Sequence, residues 1–144
     1  MILVDTNVLL DAANYHSDFH EVCRKRLEAF RQSASPWFLS WPICYEFLRV
    51  VTHPAIPTSR WSLAAAWQFL ETLLDCASAD ILLATPRHGT ILAELLNEVP
   101  QLRGNIIHDL HTAVLMREHG IRQICTRDTD FHRFPHVTVI DPAK

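Results

Sequence analysis

The sequence predicts an α/β fold built on a parallel sheet, and three observations predict it. Short apolar runs rich in β-branched or aromatic residues recur along the chain, several of them stop at a polar or acidic turn, and the stretches between them carry apolar residues at helical spacing. Strands that alternate with helices from end to end pair in parallel through crossover connections.

The elements follow in order. Ile2-Leu3-Val4 is too apolar for a half-exposed strand, so it reads as a buried one ending at Asp5-Thr6-Asn7. A helix is expected over residues 8–13 and a second over 18–31, where Phe19, Val22, Cys23, Leu27 and Phe30 form one face and Arg24-Lys25-Arg26 a solvated one. Ser35-Pro36 breaks that helix, residues 37–40 form the second strand, and Pro42 suits the first turn of a helix running to 51. Residues 52–59, with prolines at 54 and 57, form a loop. A helix over 60–76 carries Leu63, Trp67, Leu70 and Leu74, and a strand over 81–84 ends at Pro86. Helices over 90–98 and 105–119 follow, the second closed by Gly120 in the position that favours a left-handed backbone. Strands over 123–126 and 137–140 complete the chain. With no repeat or linker in view, residues 1–144 are read as a single domain.

Composition narrows the class. The chain is 49% hydrophobic and 20% charged with only three glycines, which suits a packed core and not a low-complexity segment. Four cysteines stand far apart with no C-x-x-C pair, so they are expected as reduced core residues. The chain opens on a strand and contains no apolar run of membrane-spanning length, so a cytoplasmic protein is expected. A net charge of −3 argues against passive coating of nucleic acid. It is compatible with an enzyme whose carboxylates hold cations that face phosphate.

The informative residues are acids in positions where a simple fold would not put charge. Asp5 and Asp128 each follow a buried strand, the place where open parallel sheets bind ligands, although a turn or helix cap is the other explanation for each. Glu46 lies a turn from Ile43 and Val50 on a stripe with Phe47, and is expected at the edge of the core, where a carboxylate must be paired, protonated or metal-bound. Asp109 borders the stripe marked by Ile107, Leu110 and Val114, near enough to its helix start for the dipole to stabilise it instead. If the four converge, their repulsion calls for hard cations, and carboxylate-held metal suits phosphodiester hydrolysis by in-line attack of metal-activated water. Thr6, Asn7 and Thr126 are expected around such a site, with Asp130 as a further ligand or supporting group. Arg127 is expected to balance nearby acids or to meet phosphate.

With these residues quoted, the chain resembles the PIN-domain family, and within it the VapC-type ribonuclease toxins of bacterial toxin–antitoxin pairs. The resemblance rests on Ile2-Leu3-Val4-Asp5-Thr6-Asn7-Val8-Leu9-Leu10, on Tyr45-Glu46-Phe47-Leu48-Arg49-Val50, on His108-Asp109-Leu110-His111-Thr112-Ala113, and on Cys125-Thr126-Arg127-Asp128-Thr129-Asp130-Phe131. Each segment is short, and their order and spacing together make the signal. It implies a Rossmann-like three-layer α/β/α fold around a mostly parallel sheet of four to five strands. It further implies a Mg2+-dependent endoribonuclease toxin, with Mn2+ as a substitute, that forms a homodimer and is covered by a VapB-like antitoxin.

Three other readings stay open. One is a housekeeping PIN nuclease without an antitoxin, and another is a non-catalytic interaction module whose acids form an ion-pair network. The third is an HD-like phosphohydrolase suggested by His108-Asp109. Geometry weakens that last reading, because His111 lies about 200° around the helix from Asp109. The remaining histidines, at element ends and loops, are expected to face solvent. Trp37, Trp41, Trp61 and Trp67 are expected to pack in a core or a dimer contact more readily than against bases.

Overall fold

A computed structural model describes residues 1–56 and 61–144. Five strands, β1 (Ile2–Val4), β2 (Trp37–Ser40), β3 (Ala79–Leu82), β4 (Gln123–Cys125) and β5 (Thr138–Ile140), form one sheet in the order β3-β2-β1-β4-β5, every pair parallel. Among the described residues six helices join them in an α/β/α arrangement: α1 (Thr6–Ala13), α2 (His20–Gln32), α3 (Trp41–Val51), α4 (Leu63–Leu74), α5 (His88–Glu98) and α6 (Ile106–Glu118). A short 3-10 helix, Thr129–Arg133, lies between β4 and β5.

The strand order decides where a ligand can bind. From β1 the chain builds outward through β2 to β3, then returns to the other side of β1 with β4 and β5. The order therefore reverses between β1 and β4, and the crevice at the carboxyl ends of those two strands is the binding position of open parallel sheets. Leu3, Val4, Ile124 and Cys125 are fully buried beneath it.

Where element ends differ from the sequence reading, local hydrogen bonds explain it. The first helix begins at Thr6 and not at residue 8, because Asp5 caps it by accepting from the Thr6 N–H at 2.7 Å. Likewise α4 begins at Leu63, where the Ser62 hydroxyl accepts from Ala65 N at 3.1 Å. The third strand starts at Ala79, earlier than residue 81, since it pairs with β2 from Trp37 onward. The expected loop over 52–59, from residue 57, and the first residue of the helix expected from 60 lie outside the described residues. Gly120 has φ +67° at the end of α6, as its left-handed role requires.

An aromatic cluster seals α3 to α4. Phe47, fully buried, stacks on Phe69 with ring centroids 5.1 Å apart and meets Trp61 edge-on at 6.2 Å. Trp37 is buried against Phe30, while Trp41 and Trp67 keep about two fifths of their surface exposed. The cysteines are all free; Cys23, Cys44 and Cys125 are buried, and burial pushes their thiols up to about 11, 11 and 12. Among the described residues no helix is long and apolar enough to cross a membrane.

Truncating Phe47 removes the ring on which both other aromatics rest. Phe47→Ala is expected to lower unfolding stability by roughly 3–5 kcal/mol. Chemical denaturation followed by tryptophan fluorescence checks this, because Trp61 reports the same cluster.

Candidate active site

The site is assembled by a hydrogen-bond node between the ends of β1 and β4. Asp5 N–H donates to the Cys125 carbonyl at 3.0 Å, which carries the β1–β4 ladder one step past the strands and brings the Asp5 carboxylate against Thr126. The Thr126 hydroxyl is fully buried with its residue. It donates to Asp5 Oδ2 at 2.7 Å and accepts from Asn7 Nδ2 at 2.8 Å and from the Asp128 N–H at 3.0 Å. The second Asn7 amide hydrogen also reaches Asp5 Oδ2, at 2.8 Å, and Asn7 Oδ1 accepts from the Arg127 N–H at 3.1 Å. Both polar atoms of the Asn7 side chain are thus used in joining the two strand ends.

On the far side of the node the chain turns sharply. Asp128 caps the 3-10 helix by accepting from the Asp130 N–H at 2.8 Å, and so brings Asp130 back beside itself. Asp109, in the first turn of α6, faces the same space. One carboxylate oxygen from each of Asp109, Asp128 and Asp130 lies within 4.8 Å of the other two, a spacing that one cation can bridge. Asp109 and Asp128 are partly buried and Asp130 is exposed, so the group opens to solvent on one side.

The electrostatics record the crowding. Burial, reinforced by the charges of Asp128, Asp5 and Asp130, pushes the Asp109 carboxyl up to about 7. Burial also raises Asp5, against the opposing hydrogen bonds from Thr126, Thr6 and Asn7, and Asp128 adds to the rise. A divalent cation bound among these oxygens would reverse both effects.

Four of the acids foreseen from sequence therefore meet here, namely Asp5, Asp109, Asp128 and Asp130. The caps expected as alternatives for Asp5 and Asp128 are also present, and the same capping bonds position both carboxylates.

Glu46 stands apart, and the expectation that it sits at the core edge needs correction. The buried face of α3 is Ile43, Cys44, Phe47 and Val51, not the stripe through Val50, and this rotation carries Glu46 outward. Its side chain is 46% exposed and forms a bidentate pair with Arg49 at 2.6 and 2.9 Å. That hydrogen-bonded guanidinium, with nearby His108, keeps its carboxyl below the usual range. Ile107 of α6, expected in the core, is also exposed.

Arg127 balances acids: it pairs with Asp11 at 2.6 Å while its guanidinium lies 3.3 Å over the Phe19 ring. Asp11, which sequence reading passed over, also accepts from the Ser17 hydroxyl at 2.6 Å. No periodicity marks such a residue, because its partner lies 116 positions away. The histidine expectation needs a partial correction. His20 is buried against the Asp11 carbonyl, His136 is half-buried against the Ala113 carbonyl, and His88 pairs with Glu118. His111 faces His88, away from the acids, and His108 is exposed, so the ligand set of an HD-type hydrolase is not assembled.

Comparison with known proteins agrees with this fold. The sequence profile described as PIN domain matches residues 2–137. Ribonuclease VapC48 of Mycobacterium tuberculosis is 29% identical over 138 residues, covering 96% of this chain and 94% of the relative. Ribonuclease VapC37 of the same organism is 32% identical over 137 residues, covering 95% and 94%. The crystal structure of VapBC2 from Rickettsia felis, bound to a DNA fragment from their promoter, superposes with a TM-score of 0.69 at 19% identity. That match covers 97% of this chain and 98% of the other.

The raised Asp109 fixes a pH dependence. Its folded pKa near 7 exceeds the 3.8 of a free aspartate, so between those values the folded state holds a proton that the unfolded chain releases. In chelator, stability is therefore expected to fall as pH rises from about 4 to about 7, and Asp109→Asn should flatten that fall. Melting temperatures across this range, with and without chelator, check both the slope and its removal by bound cation.

Proposed function

The chain belongs to the PIN-domain family, and from that premise we propose that it is a VapC-type ribonuclease, the toxin of a toxin–antitoxin pair, working with Mg2+ at the β1–β4 crevice. The observation that carries the reading is the trio of carboxylate oxygens within 4.8 Å at the reversal point of the sheet. The VapC48 and VapC37 ribonucleases supply the substrate class, RNA, and the reaction class, hydrolysis of its phosphodiester bonds.

The donor set fits a hard divalent cation. All its ligands are carboxylate oxygens, with no thiol or imidazole among them, and their mutual repulsion adds to the burial that raises Asp109. Asp109, Asp128 and Asp130 would hold Mg2+ or Mn2+, with Asp5 beside them. Such a cation supplies charge neutralisation at the phosphate and an acidified water as nucleophile.

The chain's own residues do the remaining work. Thr126 and Asn7 hold Asp5 in a single orientation, and Asn7 also fixes the backbone that carries Asp128. Arg127, paired with Asp11 of α1 and stacked on Phe19 just before α2, ties both to the end of β4 and leaves the phosphate-facing charge to the cation. Glu46, paired with Arg49, would have to release that guanidinium to join the other carboxylates.

The R. felis structure supports a partner reading, since it holds VapBC2 as a complex on DNA. For this chain the corresponding partner is a VapB-like antitoxin, and the setting is a homodimer in the cytoplasm. An acidic crevice with one open side attracts Arg or Lys from such a chain.

Purified protein is expected to cut a mixed cellular RNA pool with Mg2+ or Mn2+ and to fall to background in chelator. Asp5→Asn and Asp109→Asn should each remove cleavage while the far-ultraviolet circular dichroism stays unchanged. Undiminished cutting by either variant, or in chelator, would overturn the reading.

A further inference from the structure

A second polar cluster lies on the opposite side of α6 from the acids. Glu118, near the end of α6, has a side chain that is 0% exposed. Its Oε1 accepts from both the N–H and the hydroxyl of Thr85, at 2.8 and 2.6 Å, and its Oε2 meets His88 Nδ1 at 2.6 Å. Burial pushes this carboxyl up, but the Thr85 and His88 hydrogen bonds outweigh it and the group is held below its usual range. An ionised carboxylate only accepts, so the hydrogen in this bond is on His88 Nδ1.

That bond fixes the imidazole. With Nδ1–H directed at the buried carboxylate, Nε2 is the edge left for another partner, and the His88 side chain keeps 26% of its surface exposed. The next imidazole is His111, with its centroid 5.4 Å from that of His88 and the rings inclined by 59°. Among the described residues the His111 side chain makes no hydrogen bond. Two imidazoles bound side by side on one tetrahedral ion, at metal–nitrogen distances of 2.0–2.1 Å, have centroids about 5 Å apart. A carboxylate behind one ligating histidine is also the usual support of such a ligand.

We propose that His88 and His111 form a site for a borderline divalent cation such as Zn2+ or Ni2+, oriented by Glu118 and distinct from the carboxylate site. Two positions are left for water or an external ligand. Imidazole ligands favour these ions over Mg2+, which prefers oxygen. The ion also gives the buried Glu118 a fixed positive neighbour and pins the first turn of α5 to the middle of α6.

The test is calorimetric titration of the full chain with Zn2+, repeated with Ni2+, in excess Mg2+ so that the carboxylate site is occupied. A Zn2+ site that survives excess Mg2+ is expected. It should weaken at least tenfold in His111→Ala and in His88→Ala, weaken 10- to 100-fold in Glu118→Gln, and persist in Asp109→Asn. Zn2+ should also raise the melting temperature of the wild type but not of His111→Ala. His88→Ala strands the Glu118 carboxylate; if it fails to fold, His111→Ala, which cuts no hydrogen bond described above, decides the matter. Zn2+ binding abolished by Mg2+ or by Asp109→Asn, or left unchanged in His111→Ala, would overturn the proposal.

Discussion

The structure turns on the hydrogen bonds that tie Asp5, Asn7 and Thr126 together. A parallel sheet brings the ends of β1 and β4 to the same height, but nothing in its ladder orients the side chains beyond them. The node does. It uses a buried threonine hydroxyl as donor once and acceptor twice, so its geometry is over-determined from three directions. The Asp5 cap, the turn to Asp128 and the return of Asp130 all follow from it, and with them the position of a charge cluster that the core alone would never stabilise.

That cluster is a place where the fold accepts unfavourable electrostatics. Capping hydrogen bonds hold Asp5 and Asp128 in place, and α6 brings Asp109 into their field. A site arranged this way has its ligands positioned before the ion arrives, which limits the reorganisation that binding requires. On the outer face of α2 charge is placed conventionally, as in the exposed helix pairs Arg24–Glu21 and Arg31–Glu28, which contribute little to stability.

How much of this was legible in the sequence depended on whether the signal was local. The strand at Ile2-Leu3-Val4 and the acids that follow two of the strands could be read because a buried strand ending in aspartate is a short pattern. The helix over 105–119 was recognisable from its closing glycine. Glu46 was misplaced because residues 43, 44, 47, 50 and 51 are all apolar, so α3 could have buried either of two overlapping stripes. Contact with α4 and the Phe69 and Trp61 rings selects the one that turns Glu46 outward. Asp11 and Glu118 carried no signal at all. Their partners are distant in sequence, and an acid near a helix end looks like any solvated one until the fold closes over it.

The central part of α6 has a property with wider reach. From Thr112 to Met116 five consecutive residues are buried, so this helix is enclosed on every side and not only along one stripe. A rod so enclosed has neither a lubricated face along which to slide nor a free sector into which to roll. Asp109 is therefore carried on a helix whose central turns are held from all sides. Whatever silences this chain has to do so by occlusion, standing in the mouth of the crevice, because deforming its floor would mean dismantling the core.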